Sequence, residues 1–360
     1  MSWQTFQQDA FNLTDKEIKR LTKAVLQQYR DAEKAITAQL KKIYLNTLSG
    51  VKPDDYYKVM LQRDRLNNLL KQIKAEYSKF SISAGVIQKQ IANVAFSNVY
   101  YRKLYASQWI TGKAVFGLLP KNLIELTILG TEQAWKNIRD SKFGSKLAYV
   151  PQKGSLLELL GNNRTKEIAN IRTAITQSLI NKQGFGEAVN NIRRAIGQEK
   201  PKFDKNGVKI GTKFTGAKSN ALRIIRTETN RIQNMGSYAA SKELESEGID
   251  VKRSVIAVPD NKTRPQSIYT ERNNKKIGVD EPIKYPNGIT AMTPGTTGVD
   301  RFDINDRETV IDIIDGESPK IRRGRNPVTG KNEVFEYKDF DQWAKDNNLT
   351  KNYYGQVVAK

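Results

Sequence analysis

From Ile18 onward, apolar side chains return at steps of three and four residues, or sums of these: Leu21, Val25, Ala32, Ile36, Leu40 and Ile43. On a helix with about 3.6 residues per turn this spacing draws one apolar stripe, which other elements must cover. Thr14-Asp-Lys-Glu17 has the form of a capping box, with the Thr14 hydroxyl on the Glu17 N–H and the Glu17 carboxylate reaching back. A long helix is therefore predicted from there to about Leu48, where Ser49-Gly50 ends it. Pro53 suits the first turn of a second helix, along which Tyr56, Met60, Leu66, Leu69, Ile73 and Tyr77 continue the helical period. A third is predicted from Ala84 to Gln108, with Ile87, Ile91, Val94, Val99 and Leu104. Three such helices in sequence point to an N-terminal bundle or coiled-coil-like arm over residues 1–110. Its seams serve as bundle core or as a docking surface, and the spacing allows both.

The middle region, 111–218, begins with apolar segments broken by Gly112, Gly117, Pro120, Gly130, Gly144, Pro151 and Gly154, read as short helices and irregular connections. A helix follows from Asn163, marked by Ile168, Ile171, Ile175 and Leu179 and closed by Gln183-Gly184; another covers Gly186 to Ile196. The basic stretch 199–218 holds Asp204-Lys-Asn-Gly207 between Phe203 and Val208, and reads as a solvated loop or a β-ribbon. Ser219 to Glu247 is predicted helical, with Leu222, Ile225, Thr229, Ile232 and Gly236 on one face. Val251, Val255 and Val258 then signal a strand, and short strands are predicted at Lys276–Val279, Ile289–Met292 and Thr309–Ile314. Turns are read at Tyr285-Pro-Asn-Gly288 and Thr293-Pro-Gly295. Residues 219–315 thus form a small α+β module, one long helix on a short, mostly antiparallel sheet. Residues 316–360 form a basic, turn-rich tail, then a short helix anchored by Phe340 and Trp343. The fold class is α+β, predominantly α-helical.

A formal charge of +22 and a pI near 9.8 over 360 residues call for a polyanionic partner, and double-stranded DNA bound through non-specific phosphate contacts is the expected one. Arg322, Arg323, Arg325 and Lys331 in the tail are the candidate phosphate contacts, with a solvated loop as the competing reading. No cysteine and no histidine occurs. Disulfides, thiolate zinc sites and His-dependent nucleophilic catalysis are thereby excluded, leaving carboxylates, Lys, Arg, Tyr and hydroxyls for any chemistry. No run of about 18 apolar residues predicts a membrane span, and the N-terminus lacks the pattern of a secretory signal.

The order of motifs in 219–308 resembles the phage minor head, or head-morphogenesis, proteins, the family that includes the Mu-type minor head protein. Their pattern runs from a helix carrying Arg-Thr-Glu to Asp-x-Arg-Thr-Arg-Pro-x-His, a Pro-Gly turn, and Asn-Cys-Arg-Cys. Here Arg226, Thr227, Glu228, Asp260, Thr263, Arg264, Pro265, Asn305 and Arg307 match. Ser267 stands at the His position, and Asp306 and Glu308 stand at the Cys positions. The resemblance implies a low-copy capsid component of a tailed phage or prophage. Such a protein associates with the portal and the major capsid or scaffold proteins during head assembly in the host cytoplasm, and resides in the virion interior near the portal. In family members the His and two Cys could bind a metal or hold the sheet ends together; Ser267, Asp306 and Glu308 cannot make a soft zinc site, and no enzyme activity, cofactor or metal is expected here. Related modules are sometimes joined to ADP-ribosyltransferase domains, but an Arg…Ser-Thr-Ser…Glu-x-Glu arrangement is not found in this chain.

Two rival readings come from other classes. Asp303, Asp306 and Glu308 offer oxygen ligands for Mg²⁺ or Ca²⁺, hence a metal-dependent nuclease, although pairing with Arg264, Arg301 or Arg307 is the expected fate of these carboxylates. A DNA-binding accessory protein unrelated to capsids is the other. Glu228 is weighed as a general acid or base and, more readily, a pairing of Arg226 or Glu228 with the Asp260–Arg264 loop is expected to fasten helix to sheet.

Overall fold

Glycine and proline set the element boundaries, and apolar period sets the buried faces. In the computed structural model of the chain, the described residues are 3–76, 92–115, 117, 156–203, 207, 209–260, 262–327, 332–351 and 357–359. Helix α1 runs from Trp3 to Asn46, and α2 from Tyr56 to Leu61. Helix α3 covers residues 65–76, and α4 Asn98–Thr111 follows a π-helical turn at Ala92–Ser97. Next come α5 Leu156–Ile180 and α6 Phe185–Ile196, the ribbon strands β1 Glu199–Phe203 and β2 Lys209–Phe214, and α7 Gly216–Ser246. Strand β3 Val251–Ile256, helix α8 Pro265–Asn273, strands β4 Ile277–Gly278, β5 Ile283–Lys284 and β6 Thr290–Ala291, the short α9 Asp300–Asp303, and β7 Thr309–Ile314 follow. The hairpin β8 Ile321–Arg325 and β9 Asn332–Glu336, helix α10 Phe340–Asp346, and strands β10 Leu349–Lys351 and β11 Val357–Ala359 complete the order. The fold is α+β and predominantly helical, as predicted.

Several boundaries differ from the sequence reading for physical reasons. The helix of the first stripe starts at Trp3, so Thr14–Glu17 lies inside it and not at its N-terminus; no Gly or Pro stands upstream to stop it. The second helix is broken at a 3₁₀ turn, Gln62–Asp64, where Asp64 takes φ 53°. The apolar series steps by six between Met60 and Leu66, out of helical phase, and the break restores phase. The expected third helix is described from Ala92 on; its beginning, including Ile87 and Ile91, and nearly all of the irregular stretch 116–155 lie outside the described residues. Helix α8 was not predicted. Proline at its first turn starts it, with Arg264 extended at φ −72°, ψ 145° before it. The basic tail is a β-hairpin rather than a run of turns, with Ile321 opposite Glu336 and Arg325 opposite Asn332.

The chain divides into two compact units, neither continuous in sequence: residues 1–18, 89–155 and 226–360, and residues 19–88 and 156–225. Of the segments read from the sequence, 1–110, 111–218 and 219–315 each contribute to both units, and 316–360 belongs wholly to the first. In the second unit the α1 stripe is buried at Leu21, Val25, Ala32, Ile36 and Leu40, with Ile171, Ile175 and Leu179 of α5 and Val189, Ile192 and Ile196 of α6. Polar ties sit among them: Asn163 donates to the Tyr29 hydroxyl at 3.0 Å and to the Ala217 carbonyl at 3.3 Å.

In the first unit β3 is central, paired antiparallel with β4 on one side and β7 on the other. Val255, Ile277, Ile283, Tyr285, Ala291, Phe302 and Val310 form its core. A smaller cluster joins Ile268, Phe340, Trp343 and Leu349, so both tail anchors are buried as expected. Helix α7 from Arg226 on lies along β7: Ser241 Oγ is 3.0 Å from both Asp312 carboxylate oxygens, and Lys103 of α4 reaches the same carboxylate at 2.7 Å.

Helix α7 approaches the π-helical turn most closely at Gly236. A Cβ placed there would sit 2.7 Å from the Phe96 carbonyl oxygen and 3.0 Å from its Cα. Backbone cannot swing aside as a side chain can. Gly236→Ala should therefore destabilise the protein by about 1–3 kcal/mol despite the better helix propensity of alanine, read as a lower midpoint in thermal or urea unfolding.

Candidate functional site

The motif residues are spread over eighty positions, and the question is which of them the fold gathers. Asp260 follows β3 through Ala257-Val-Pro259, and its side chain does what a short acidic residue in a turn does. Its Oδ1 accepts the Lys262 N–H at 2.7 Å and the Thr263 hydroxyl at 3.1 Å, closing the loop on itself. The carboxylate also takes both guanidinium nitrogens of Arg307, 47 residues further on, Nη2 at 3.1 Å. Burial pushes the Asp260 carboxyl up, but Arg307 and the loop donors outweigh it and hold it below the usual carboxylate range.

Arg264 makes a second long-range tie. Its Nη1 donates to the carbonyls of Arg301 at 2.8 Å and Ile304 at 3.2 Å, and Nη2 to that of Phe302 at 3.0 Å. These are the orphan carbonyls at the end of α9, which a guanidinium fork satisfies together. Asn305 follows at φ 54°, a left-handed turn that asparagine tolerates, and its N–H donates to the Thr227 hydroxyl at 3.0 Å. Pro265 opens α8. Thr227, Asp260, Thr263, Arg264, Asn305 and Arg307 are therefore brought into one clasp joining α7, the β3–α8 loop and the α9–β7 loop.

Glu228 is not part of that clasp. It pairs instead with Arg231 one turn along α7, at 2.7 and 3.0 Å, both side chains buried. The expected pairing of Glu228 with the Asp260–Arg264 loop is replaced because its carboxylate has a nearer guanidinium on its own helix. Arg226 lies within the field of Arg307. The helix is fastened to the sheet by asparagines: Asn230 and Asn234 both donate to the Glu308 carbonyl, at 3.2 and 3.1 Å, and Asn234 Oδ1 accepts the Val310 N–H at 3.3 Å.

The three positions at which the chain departs from the family pattern also converge. Ser267, Asp306 and Glu308 are all buried, Glu308 against Ser267, Asp306 and Tyr285. Asp306 Oδ1 accepts the Glu308 N–H at 2.9 Å and lies 3.6 Å from Arg264. Burial raises both carboxyls, Asp306 to about 7 with the Asp303 charge adding to it, and Glu308 well above its ordinary range with the Asp306 charge adding to it. Asp303 turns elsewhere, its carboxylate accepting the Thr297 N–H at 2.9 Å, the Thr297 hydroxyl at 2.7 Å and the Gly298 N–H at 2.8 Å. The oxygen cluster of Asp303, Asp306 and Glu308 does not assemble, and among the described residues no group of three acidic side chains is placed to hold a metal ion.

The tail arginines separate by strand alternation. Arg322 points inward, its side chain 0% exposed, and grips Glu271 at 2.7 and 2.8 Å together with the Lys338 and Ala257 carbonyls. It is a structural clamp and cannot reach a phosphate, which corrects its place among the candidate contacts. Arg323 and Arg325 are half-buried on the other face of β8, and Lys331 lies outside the described residues.

Sequence reasoning missed the arginines that grip main chain. Arg253 on β3 donates to the carbonyls of Gly278 at 3.3 Å, Met292 and Glu281. A signal for it existed: two-residue alternation places Arg253 between Val251 and Val255 on the buried face. For Arg322 and Glu271 no such signal exists.

No protein-family profile matches the chain, and no solved structure does. It is similar to the minor head protein GP7 of Bacillus phage SPP1, 27% identical over 196 residues, 54% of this chain and 56% of that protein. It is also similar to the NAD(+)–arginine ADP-ribosyltransferase EFV of Enterococcus faecalis, 34% identical over 126 residues, 35% of this chain and 24% of the enzyme. The chain thus spans about half and about a quarter of these relatives. Among the described residues no helix is long and apolar enough to cross a membrane.

Two substitutions measure the clasp. Arg307→Ala leaves the buried Asp260 carboxylate with only its loop donors and should cost on the order of 1–3 kcal/mol. Because Asp260 titrates low in the folded state, its contribution is present above the ordinary carboxylate range and lost as pH falls, so the deficit should shrink in acid unfolding series. For Asp306 the sign is opposite. Its raised folded-state pKa gives a contribution that is complete below about pH 4 and disappears as pH rises to about 7. Asp306→Asn should flatten that dependence and raise the melting temperature at pH 8, by roughly 1–3 kcal/mol in stability.

Proposed function

We propose that this chain is a minor capsid protein of a tailed phage or prophage, a low-copy component acting in head assembly at the portal. The observation that carries this reading is the similarity to the SPP1 minor head protein, which runs over more than half of each chain. The clasp geometry supports it. Thr227, Asp260, Arg264, Asn305 and Arg307 bond to one another and to main chain, so the motif acts as a fastening that fixes a module for assembly. Asp260 and Glu228 are committed to guanidinium partners, and Asp303 to the Thr297 and Gly298 N–H groups and the Thr297 hydroxyl. Among the described residues no three acidic groups are placed to hold a metal ion.

The similarity to an ADP-ribosyltransferase covers about a quarter of that enzyme, and this chain contains no Ser-Thr-Ser sequence. We take the shared segment as a common module and the role as non-enzymatic. In this reading the partners are the portal protein, the major capsid or scaffold proteins, and packaged DNA met through its phosphates. The +22 charge supplies the attraction, and Arg323 and Arg325 remain as tail candidates. The protein would reside inside the virion near the portal after assembly in the host cytoplasm.

Quantitative mass spectrometry of purified particles and procapsids from the source phage tests this directly. We expect a few copies per particle in both. Absence from both would overturn the structural role, and presence in procapsids alone would restrict it to an assembly factor that leaves before maturation.

A further inference from the structure

The ribbon between α6 and α7 carries charge that the fold does not use. Between Lys200 and Lys213 the sequence holds five lysines and one aspartate. In the antiparallel register Lys200 stands directly opposite Lys213, and Lys202 follows two residues on, on the same face, opposite Gly211. Like charges directly opposed across a strand pair destabilise it, and a two-stranded ribbon is only marginally stable by itself. Lys200, Lys202, Lys209 and Lys213 are all exposed, and none forms an ion pair among the described residues. Gly211 carries no side chain, and nothing lies within 4 Å of where its Cβ would be. The lysine face is therefore open along its length.

The ribbon's base is built in the opposite manner. Gly197 and Gly216 pack so closely that a Cβ on Gly197 would fall 2.0 Å from the Thr215 carbonyl oxygen, and one on Gly216 2.8 Å from the Gly197 Cα. Both glycines take positive φ, 108° and 57°. The Thr215 N–H donates to the Gln198 carbonyl at 3.0 Å, and the Gln198 N–H to the Thr215 hydroxyl at 2.8 Å. Glu199 is held by Arg30 through two bonds, 3.0 and 2.9 Å, and by the buried Lys218 at 3.2 Å. Lys218 also reaches Glu33, which binds Arg193. Every carboxylate of the base is thus paired with a base cation, and the projecting lysines are left without a counter-charge. A ribbon fixed at its root that concentrates repelling cations beyond it is stabilised when an anion array neutralises them.

We propose that the β1–β2 ribbon, through Lys200, Lys202 and Lys213, is a contact site for the phosphodiester backbone of nucleic acid. A two-stranded ribbon fits along a duplex groove with its lysines toward the phosphates, and it carries no base-reading side chain on that face. This deepens the reading of the chain as a DNA-proximal head component and rests on it.

The test uses the full chain and a random-sequence 30-base-pair duplex, with fluorescence anisotropy at several salt concentrations. Each phosphate contact contributes about 0.9 to the slope of log affinity against log salt. Lys200→Ala/Lys202→Ala/Lys213→Ala should therefore lower the slope by roughly 2–3 and weaken binding at least tenfold at low salt. A control with equal charge removed from exposed α1 positions, Lys23→Ala/Lys34→Ala/Lys41→Ala, should change the slope by less than one. Neither variant should melt below the wild type, since none of these lysines is buried. If the wild type binds the duplex and the ribbon variant binds it with the same affinity and slope, the ribbon assignment is wrong while the DNA-proximal reading stands. No duplex binding by the wild type at low salt would remove both, leaving incorporation into particles to be judged separately. Ribbon-dependent binding to phosphatidylserine vesicles or polyglutamate, with none to DNA, would also overturn it.

Discussion

Buried guanidinium groups that bond to main-chain carbonyls hold the first unit together. Arg253 ties β3 to the irregular chain around Gly278, Glu281 and Met292, and Arg322 ties the tail hairpin to Ala257, Lys338 and Glu271. Arg264 does the same for the end of α9 from a half-buried position. The strands of this unit are short, several only two residues long, so much of the backbone lacks a ladder partner. A buried carbonyl without a donor costs about 1–3 kcal/mol, and one arginine satisfies two or three of them at once. The irregular chain is tolerable because these arginines are there.

The ion pairs divide into two kinds. Arg322–Glu271 and Arg231–Glu228 are nearly solvent-free, and such pairs constrain geometry more than they add net stability. Arg272–Asp341 and Lys275–Asp339, at the surface, contribute little. The Asp260–Arg307 pair sits between these, with a buried carboxylate and a guanidinium 38% exposed. It is the member that joins two motif segments, which explains why both residue types occur where they do. At the Ser267, Asp306 and Glu308 positions the chain buries two adjacent carboxyls in place of soft ligands, and that burial raises both above the ordinary carboxylate range.

In the second unit the apolar period is enough to explain the core, and the ribbon explains where part of the excess charge goes. Glu199, Glu33, Arg30, Arg193 and Lys218 close on one another at the ribbon's root. Electrostatic balance is achieved there and given up a few residues further out.

Local order was legible in the sequence wherever it depends on neighbours along the chain. The α1 stripe, the α5 and α6 helices, strands β3 and β7, the anchors Phe340 and Trp343, and the alternation that puts Arg253 inward all follow from period and composition. The start of α1 and the α8 helix were misread because one capping pattern and one X-Pro step have more than one local outcome. The tail arginines show the deeper limit. Arg322, Arg323 and Arg325 are indistinguishable as cations in a basic run, yet one is wholly enclosed by Glu271 and two are not, since strand alternation and a carboxylate 51 residues away decide burial. The sequence by itself determined the helical periods, the +22 charge, and the exclusion of cysteine and histidine chemistry. Only the tertiary structure decided that Asp260 meets Arg307, that Glu228 turns to its own helix, and that Asp303 leaves Asp306 and Glu308 as a pair. The first depends on chain closure across 47 residues, to which no local pattern is sensitive, and the other two on which of several nearby partners the packed chain leaves within reach.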